Sequence, residues 1–151
     1  MNRQSSRKAA SADAHALAGE LRALAGKLKR RLREQADVGD LTPSQVSVLL
    51  RLEKDGPATA SGLARMEGMR PQSMGPIIAA LESAGLVRGS PHPTDGRQII
   101  LSLTEACRTR IDEGRAARQD WLSRTIAARL SPAEQQQLAA AIGLLRRLVD
   151  D

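Results

Sequence analysis

Few side chains in this sequence suit covalent or metal chemistry. The single cysteine, Cys107, rules out an intrachain disulfide, and the two histidines, His15 and His92, lie far apart in the chain. That set is too small for a zinc site of Cys and His ligands. No glycine-rich phosphate loop, nucleophile elbow or Ser/His or Cys/His arrangement is present. The sequence therefore points away from an enzyme and away from any cofactor. What remains are polar and basic side chains spread along the chain, 23 Lys and Arg among them. Arginine and glutamine bond base edges bidentately, serine donates or accepts, and arginine also meets phosphate. The chemistry these residues offer is recognition of an anionic polymer.

The elements that carry them follow from periodicity. The chain has 151 residues, 41% hydrophobic, which suits one globular domain with appended helices. Leu17, Leu21, Leu24, Leu28 and Leu32 form one apolar stripe, predicting a helix from about Asp13 to Ala36 behind a flexible tail over 1–12. Thr42-Pro43-Ser44-Gln45 reads as a capping box with proline at the first helical position, Leu41 and Val46 forming the hydrophobic staple. That helix should turn Val46, Leu49 and Leu50 inward and stop at Asp55-Gly56-Pro57. A link over Ala58 to Ala60 precedes a short helix with Leu63 and Met66 inward, a turn at Gly68, and a second helix opened by Pro71. This second helix has Met74, Ile77, Ile78 and Leu81 on one face and ends at Gly85. That is a helix-turn-helix outline. Two β-prone runs, Leu86 to Ser90 and Arg97 to Leu103, flank Asp95-Gly96, a hairpin signal. Thr104 caps a long helix to about Leu130, carrying Ile111, Trp121, Leu122 and Ile126. Ser131-Pro132-Ala133-Glu134 starts a last helix that should bury Leu138, Ile142, Leu145 and Leu148.

Charge and aromatic content narrow the partner. The net charge of +6 favours nucleic acid over a membrane surface, and no apolar run is long enough to span a bilayer. Residues 1–40 hold nine basic and five acidic residues, residues 41–103 six and five, and residues 104–151 eight and seven. The basic surplus, densest at Lys27, Lys29, Arg30, Arg31 and Arg33, thus sits outside the middle third and reads as a solvated helix face. Phe and Tyr are absent and Trp121 is the sole aromatic, which disfavours proteins that stack single-stranded bases on rings. Met1 to Asp13 lacks the apolar segment of a secretory signal, so a cytoplasmic location is expected.

Residues 42–103 read as a winged helix-turn-helix. The stretch Gly85-Leu86-Val87, the tip Pro93-Thr94-Asp95-Gly96-Arg97, and Leu101-Ser102-Leu103-Thr104-Glu105-Ala106 resemble the wing region of MarR-type transcriptional regulators. The similarity extends upstream through Leu41-Thr42-Pro43-Ser44-Gln45 and Arg70-Pro71-Gln72-Ser73-Met74, and covers roughly residues 17–148. The resemblance implies a mainly α fold with a small β-hairpin wing: a DNA-binding domain over 41–103 and a helical dimerisation region over 13–40 and 104–151. It implies a homodimer on double-stranded DNA, a recognition helix in the major groove and a wing in the minor groove. It also implies a repressor released, as many members are, by a small ligand or by cysteine oxidation; the site of a small-molecule effector would lie in the crevice between the dimer helices and the winged domain. Apart from the resemblance, the leucine stripes at both ends of the chain suit a helical dimer core, whose two-fold symmetry would match a pseudo-palindromic operator. The alternative is a winged helix used as a protein-interaction module.

Within this frame Arg97 is expected at the wing tip in a narrow minor groove, with Asp95 orienting its guanidinium by a bidentate pair. Gln72 and Ser73 fall in the first turn of the recognition helix, and Arg70 just before it reaches base or phosphate. Arg65 and Arg88 are phosphate contacts or plain surface, and His92 is a lone loop histidine. Gly75-Pro76 depart from the resemblance, standing where many members carry Thr or Ser followed by Arg. Pro76 removes one backbone bond and crowds the Gln72 carbonyl, so the helix should kink or begin near Pro76. Cys107, near a helix N-terminus and beside Arg108, has the setting of a reactive thiol, but no second cysteine is there to resolve a sulfenic acid. A small, partly buried thiol is the favoured reading.

Overall fold

The computed structural model describes residues 3–36 and 39–151, with residues 3–12 described by their backbone alone. The elements run α1 (Arg3–Glu34), α2 (Pro43–Asp55), β1 (Ala58–Thr59), α3 (Ala60–Met66), α4 (Pro71–Ser83), β2 (Val87–Pro91), β3 (Ile99–Leu103), α5 (Glu105–Arg129) and α6 (Pro132–Val149). The fold is mainly helical with a small antiparallel sheet, as the sequence predicts. Two compact units divide it. One holds α2 through β3 and the start of α5 up to Arg115; the other holds α1 and the chain from Ala116 onward.

The first unit is built around α2, α3, α4 and the sheet. Thr42 opens α2 as read: its hydroxyl accepts from Gln45 N at 3.2 Å, and Gln45 Oε1 accepts from Thr42 N at 2.9 Å. The buried face differs from the expected one. Val48, Leu49 and Leu52 point inward, while Leu50 is 46% exposed and Val46 only half-buried. A helix carrying apolar residues at 46, 48, 49, 50 and 52 offers two overlapping faces, and periodicity alone cannot choose between them. In α3 the inward pair is Leu63 and Ala64, and Met66 lies 40% exposed in the last turn.

The link at Ala58 contains a strand too short to leave a sequence pattern. Ala58 pairs with Leu101 and Thr59 with Ile100, so the sheet has the order β1-β3-β2 with both pairings antiparallel. β2 and β3 pair from Val87 with Leu103 to Pro91 with Ile99. Leu52, Leu63, Met74, Leu81, Val48 and Cys107 are its most deeply buried side chains. Cys107 explains why the compact unit reaches beyond the expected boundary at Leu103. Its side chain belongs to this core, and Thr104 ties the helix start down, its hydroxyl donating to Gly85 O at 2.7 Å and accepting from Cys107 N at 3.1 Å.

In the second unit α1 starts at Arg3, ten residues before the expected Asp13. Residues 3–12 contain no glycine or proline and include Ala9, Ala10 and Ala12, all strong helix formers, so nothing in them stops the helix. The flexible tail expected over 1–12 is therefore corrected to helix from Arg3; Met1 and Asn2 lie outside the described residues. α6 has the capping box read from sequence, with Glu134 N donating to Ser131 Oγ at 3.2 Å and Ser131 N to Glu134 Oε1 at 3.0 Å. Its stripe is not buried within one chain: Ile142, Leu145 and Leu148 are 44%, 39% and 70% exposed. Arg31 of α1 stands 5.9 Å from the ring centroid of the half-buried Trp121 of α5. Among the described residues no helix is long and apolar enough to cross a membrane.

Candidate nucleic-acid interface

The helix-turn-helix is α3, a turn and α4. Thr59 caps α3, its hydroxyl accepting from Gly62 N at 3.1 Å. The turn needs a left-handed residue, supplied by Gly68 at φ 63°, and it closes with Met69 N donating to Ala64 O at 2.8 Å. Arg70 then takes the N-cap position in extended backbone, without a side-chain capping bond. Its guanidinium is left exposed at the start of the recognition helix. Met74, Ile78 and Leu81 anchor α4 to the core, which leaves Gln72, Ser73, Gly75 and Pro76 exposed.

Pro76 neither ends nor delays the helix. α4 runs unbroken from Pro71 to Ser83 with Pro76 inside it. The expected restart near Pro76 is corrected for a physical reason. The amide that Pro76 lacks would have bonded the Gln72 carbonyl, which lies in an exposed first turn where water can serve it. A Cβ at Gly75 would meet nothing within 4 Å. The exposed face of α4 is thus a polar pair, Gln72 and Ser73, beside a smooth Gly-Pro surface.

A polar brace joins α2 to the end of α3. Glu67, just after α3, accepts from Arg51 Nε at 2.6 Å and from Ser47 Oγ at 2.8 Å, both on α2, and Arg51 also reaches Asp55 at 3.3 Å. The Arg51 hydrogen bond holds the Glu67 carboxyl below the usual glutamate range against the opposing effect of burial, with Ser47 assisting. Arg115 pairs with Glu53, joining the start of α5 to α2. The sequence offered no spacing signal for either contact, because the partners come from different elements.

The wing is β2, β3 and the tip between them. Arg88 is exposed on β2, opposite Ser102, and Arg97 is exposed at the tip. Asp95 does not pair with the Arg97 guanidinium. Its Oδ1 accepts from the backbone N–H of Arg97 at 3.1 Å, so the expected bidentate orientation is replaced by a backbone cap. A carboxylate two residues before an N–H closes an Asx-turn more readily than it chases a long side chain. Nor is the tip the two-residue turn that Asp95-Gly96 suggests, since Gly96 is not among the glycines with positive φ. His92 N donates to Gln98 O at 3.0 Å, and the loop spans the residues between. His92, treated in the sequence as a lone loop histidine, accepts at Nδ1 from the backbone N–H groups of Thr94 and Asp95 at 3.2 and 3.1 Å.

All seven candidate residues therefore belong to one compact unit. Arg65, Arg70, Gln72, Ser73, Arg88 and Arg97 are exposed, and Asp95 is half-buried. Among the described residues the guanidinium groups of Arg65, Arg70, Arg88 and Arg97 have no protein acceptor, unlike those of Arg51 and Arg115. Unspent guanidinium groups flanking an exposed helix and hairpin are suited to phosphate and groove contact. Cys107 is 1% exposed; burial pushes its thiol up, with Arg110 and Arg108 opposing only in part. That is a packed thiol, not a reactive one.

Known proteins share this architecture and sequence. The MarR family model matches residues 41–99. A Mycobacterium tuberculosis protein named HTH-type transcriptional regulator MT0903.1 is 37% identical over 135 residues, covering 89% of this chain and 94% of its own length. The HTH-type transcriptional repressor MdtR of Bacillus subtilis is 29% identical over 104 residues, covering 69% of this chain and 67% of its own. Among solved structures, a Pseudomonas aeruginosa PA01 protein described as a transcriptional regulator superposes with a TM-score of 0.78 at 34% identity, covering 92% of this chain and 97% of that one. A mutant of Staphylococcus aureus MepR bound to an oligodeoxyribonucleotide shares the fold at a TM-score of 0.69 and 19% identity, covering 89% of this chain and 98% of its own. On this footing the chain belongs to the MarR family: it is a DNA-binding transcriptional regulator with a winged helix-turn-helix, not an enzyme.

Proposed function

We propose that the chain works as a homodimeric repressor that binds a pseudo-palindromic operator and is released by a small-molecule effector. One observation carries the dimer. In the unit of α1 and the C-terminal helices, Leu17, Leu24, Leu144 and Leu148 are 64%, 64%, 60% and 70% exposed. Apolar stripes this open in a single chain call for a covering surface, and a second copy supplies one by two-fold symmetry. The repressor reading draws on the name of the related MdtR. In the complex Gln72 and Ser73 read base edges, Arg97 enters the minor groove with Asp95 shaping its backbone, and Arg65, Arg70 and Arg88 meet phosphate.

The test joins two measurements. Sedimentation at micromolar concentration should give a dimer. Gel-shift titration of duplex from beside the coding region should give tight binding to a two-half-site sequence and much weaker binding to a single half-site. A monomer that binds both equally overturns the homodimer. A protein that shifts no duplex supports the interaction-module alternative instead. Effector release is checked with Trp121 emission and DNA affinity in the same titration. A small molecule that moves neither is not the effector.

A further inference from the structure

One ring nitrogen organises the tip of the wing. Thr94 N lies 3.2 Å and Asp95 N 3.1 Å from His92 Nδ1, with Thr94 Oγ1 also at 3.2 Å. A backbone N–H can only donate. Nδ1 must therefore keep its lone pair, and the proton of the neutral ring sits on Nε2. This is what an Asn or Asp oxygen does in an Asx-turn, with imidazole in its place. The same short loop is tied by His92 N donating to Gln98 O, by Gln98 N donating to Asp95 O, each at 3.0 Å, and by Arg97 N donating to Asp95 Oδ1 at 3.1 Å. His92 thus begins a continuous set of bonds that ends on the backbone of Arg97.

We infer that His92 is a positioning residue for DNA reading: its neutral imidazole shapes the tip that presents Arg97, and protonation at Nδ1 undoes that shape. This rests on the proposed entry of Arg97 into the minor groove. The electrostatic sign separates it from the bland alternative. A histidine that merely touched phosphate would gain charge in acid and bind DNA more tightly. A protonated Nδ1 would instead point a proton at two backbone N–H groups. The Thr94 hydroxyl can rotate to accept it; the two amides cannot. The charged groups around the ring do not cancel this. β3 carries no titratable side chain, β2 carries Arg88 alone, the tip carries Asp95 and Arg97, and Glu82 of α4 approaches β2 at Gly89. Among the described residues no carboxylate oxygen lies within 4.0 Å of the imidazole.

The experiment is an operator titration at several pH values between about 5.8 and 8, on the full chain and on His92→Asn, His92→Ala and Arg97→Ala. Asn places an oxygen near the position of Nδ1 and does not titrate. At pH 8 the Asn variant should match the parent and the Ala variant should bind roughly tenfold more weakly, the worth of about one hydrogen bond. On acidification the parent should lose affinity relative to the Asn variant, which keeps His15 and so carries any pH dependence that does not come from His92. An Ala variant as tight as the parent at pH 8, a parent that tightens in acid, or an Asn variant with the parent's pH slope each overturns the inference. Arg97→Ala separates the two layers. If it binds as the parent does, the wing reading itself is wrong. If it binds weakly while both His92 variants behave as the parent, only the positioning role fails.

Discussion

In the proposed complex, Arg97 and Gln72 offer DNA two different things, charge and hydrogen-bond pattern. The exposed face of α4 has only Gln72 and Ser73 before the smooth Gly75-Pro76 surface. Direct readout should therefore be modest, about 1–3 kcal/mol for a good bidentate pair. Arg97 carries a guanidinium without a protein acceptor on a tip whose backbone is tied in place. Arg97→Ala should weaken operator binding strongly and reduce the salt slope by about one ion, most of all where the flank facing the wing is A·T-rich and narrow. Gln72→Ala should relax preference at one or two positions per half-site while leaving the salt slope unchanged. Titrations of both variants over salt and operator changes check this. An Arg97→Ala protein as tight as the parent, beside a Gln72→Ala protein that no longer binds, would reverse the division.

At the scale of elements, the Glu67 brace ties α2 to the end of α3, the first helix of the helix-turn-helix. The Glu67 side chain is only 12% exposed and its carboxyl is held low by Arg51, then by Ser47, against burial. A carboxyl lowered on folding adds stability above its unfolded value, about 4.3 for glutamate, and loses it as pH falls through the folded value. Glu67→Gln should thus unfold at a lower temperature at pH 7, by roughly 4 °C. The two proteins should converge as pH drops below 4. Thermal unfolding followed by circular dichroism from pH 7 to 3 tests it, and a constant gap at all pH values would remove the charge from the explanation.

Elements of this kind mark what a sequence displays. The capping boxes at Thr42 and Ser131, the turn at Gly68 and the buried face of α4 depend on residues close in the chain, and all were legible. The seven candidate DNA contacts named from the sequence fall within one compact unit, six of them exposed. The two-residue β1, the rotation of α2 toward Val48 and Leu52, and the Glu67 brace depend on partners far along the chain. The tip shows the limit at short range. Asp95 and His92 are close to Arg97, yet several local bonds compete there, and spacing does not say that both side chains will choose backbone N–H groups.

For the whole molecule, the open apolar surface decides which assembly the helices serve. The winged unit carries a compact core, whereas α6 has no buried residue within one chain. The helices of the other unit keep Leu24, Leu28, Ile142 and Leu148 at 64%, 41%, 44% and 70% exposure. Covering a leucine fully is worth about 1.5–3 kcal/mol, so a dimer that buries several such residues on each copy gains far more than any surface ion pair gives. Glutamate at two of these positions should reverse that gain, because each buried charge would lack a partner. The double variant Leu24→Glu, Leu148→Glu is expected to sediment as a monomer at micromolar concentration. Its winged unit keeps the Val48, Leu63 and Met74 core untouched and should still protect its amides from hydrogen exchange. Affinity for a full operator should fall toward that for a half-site, since the linked second contact is lost. If the double variant remains dimeric with parental operator affinity, the stripes are not the dimer surface and the symmetry argument for the operator loses its basis.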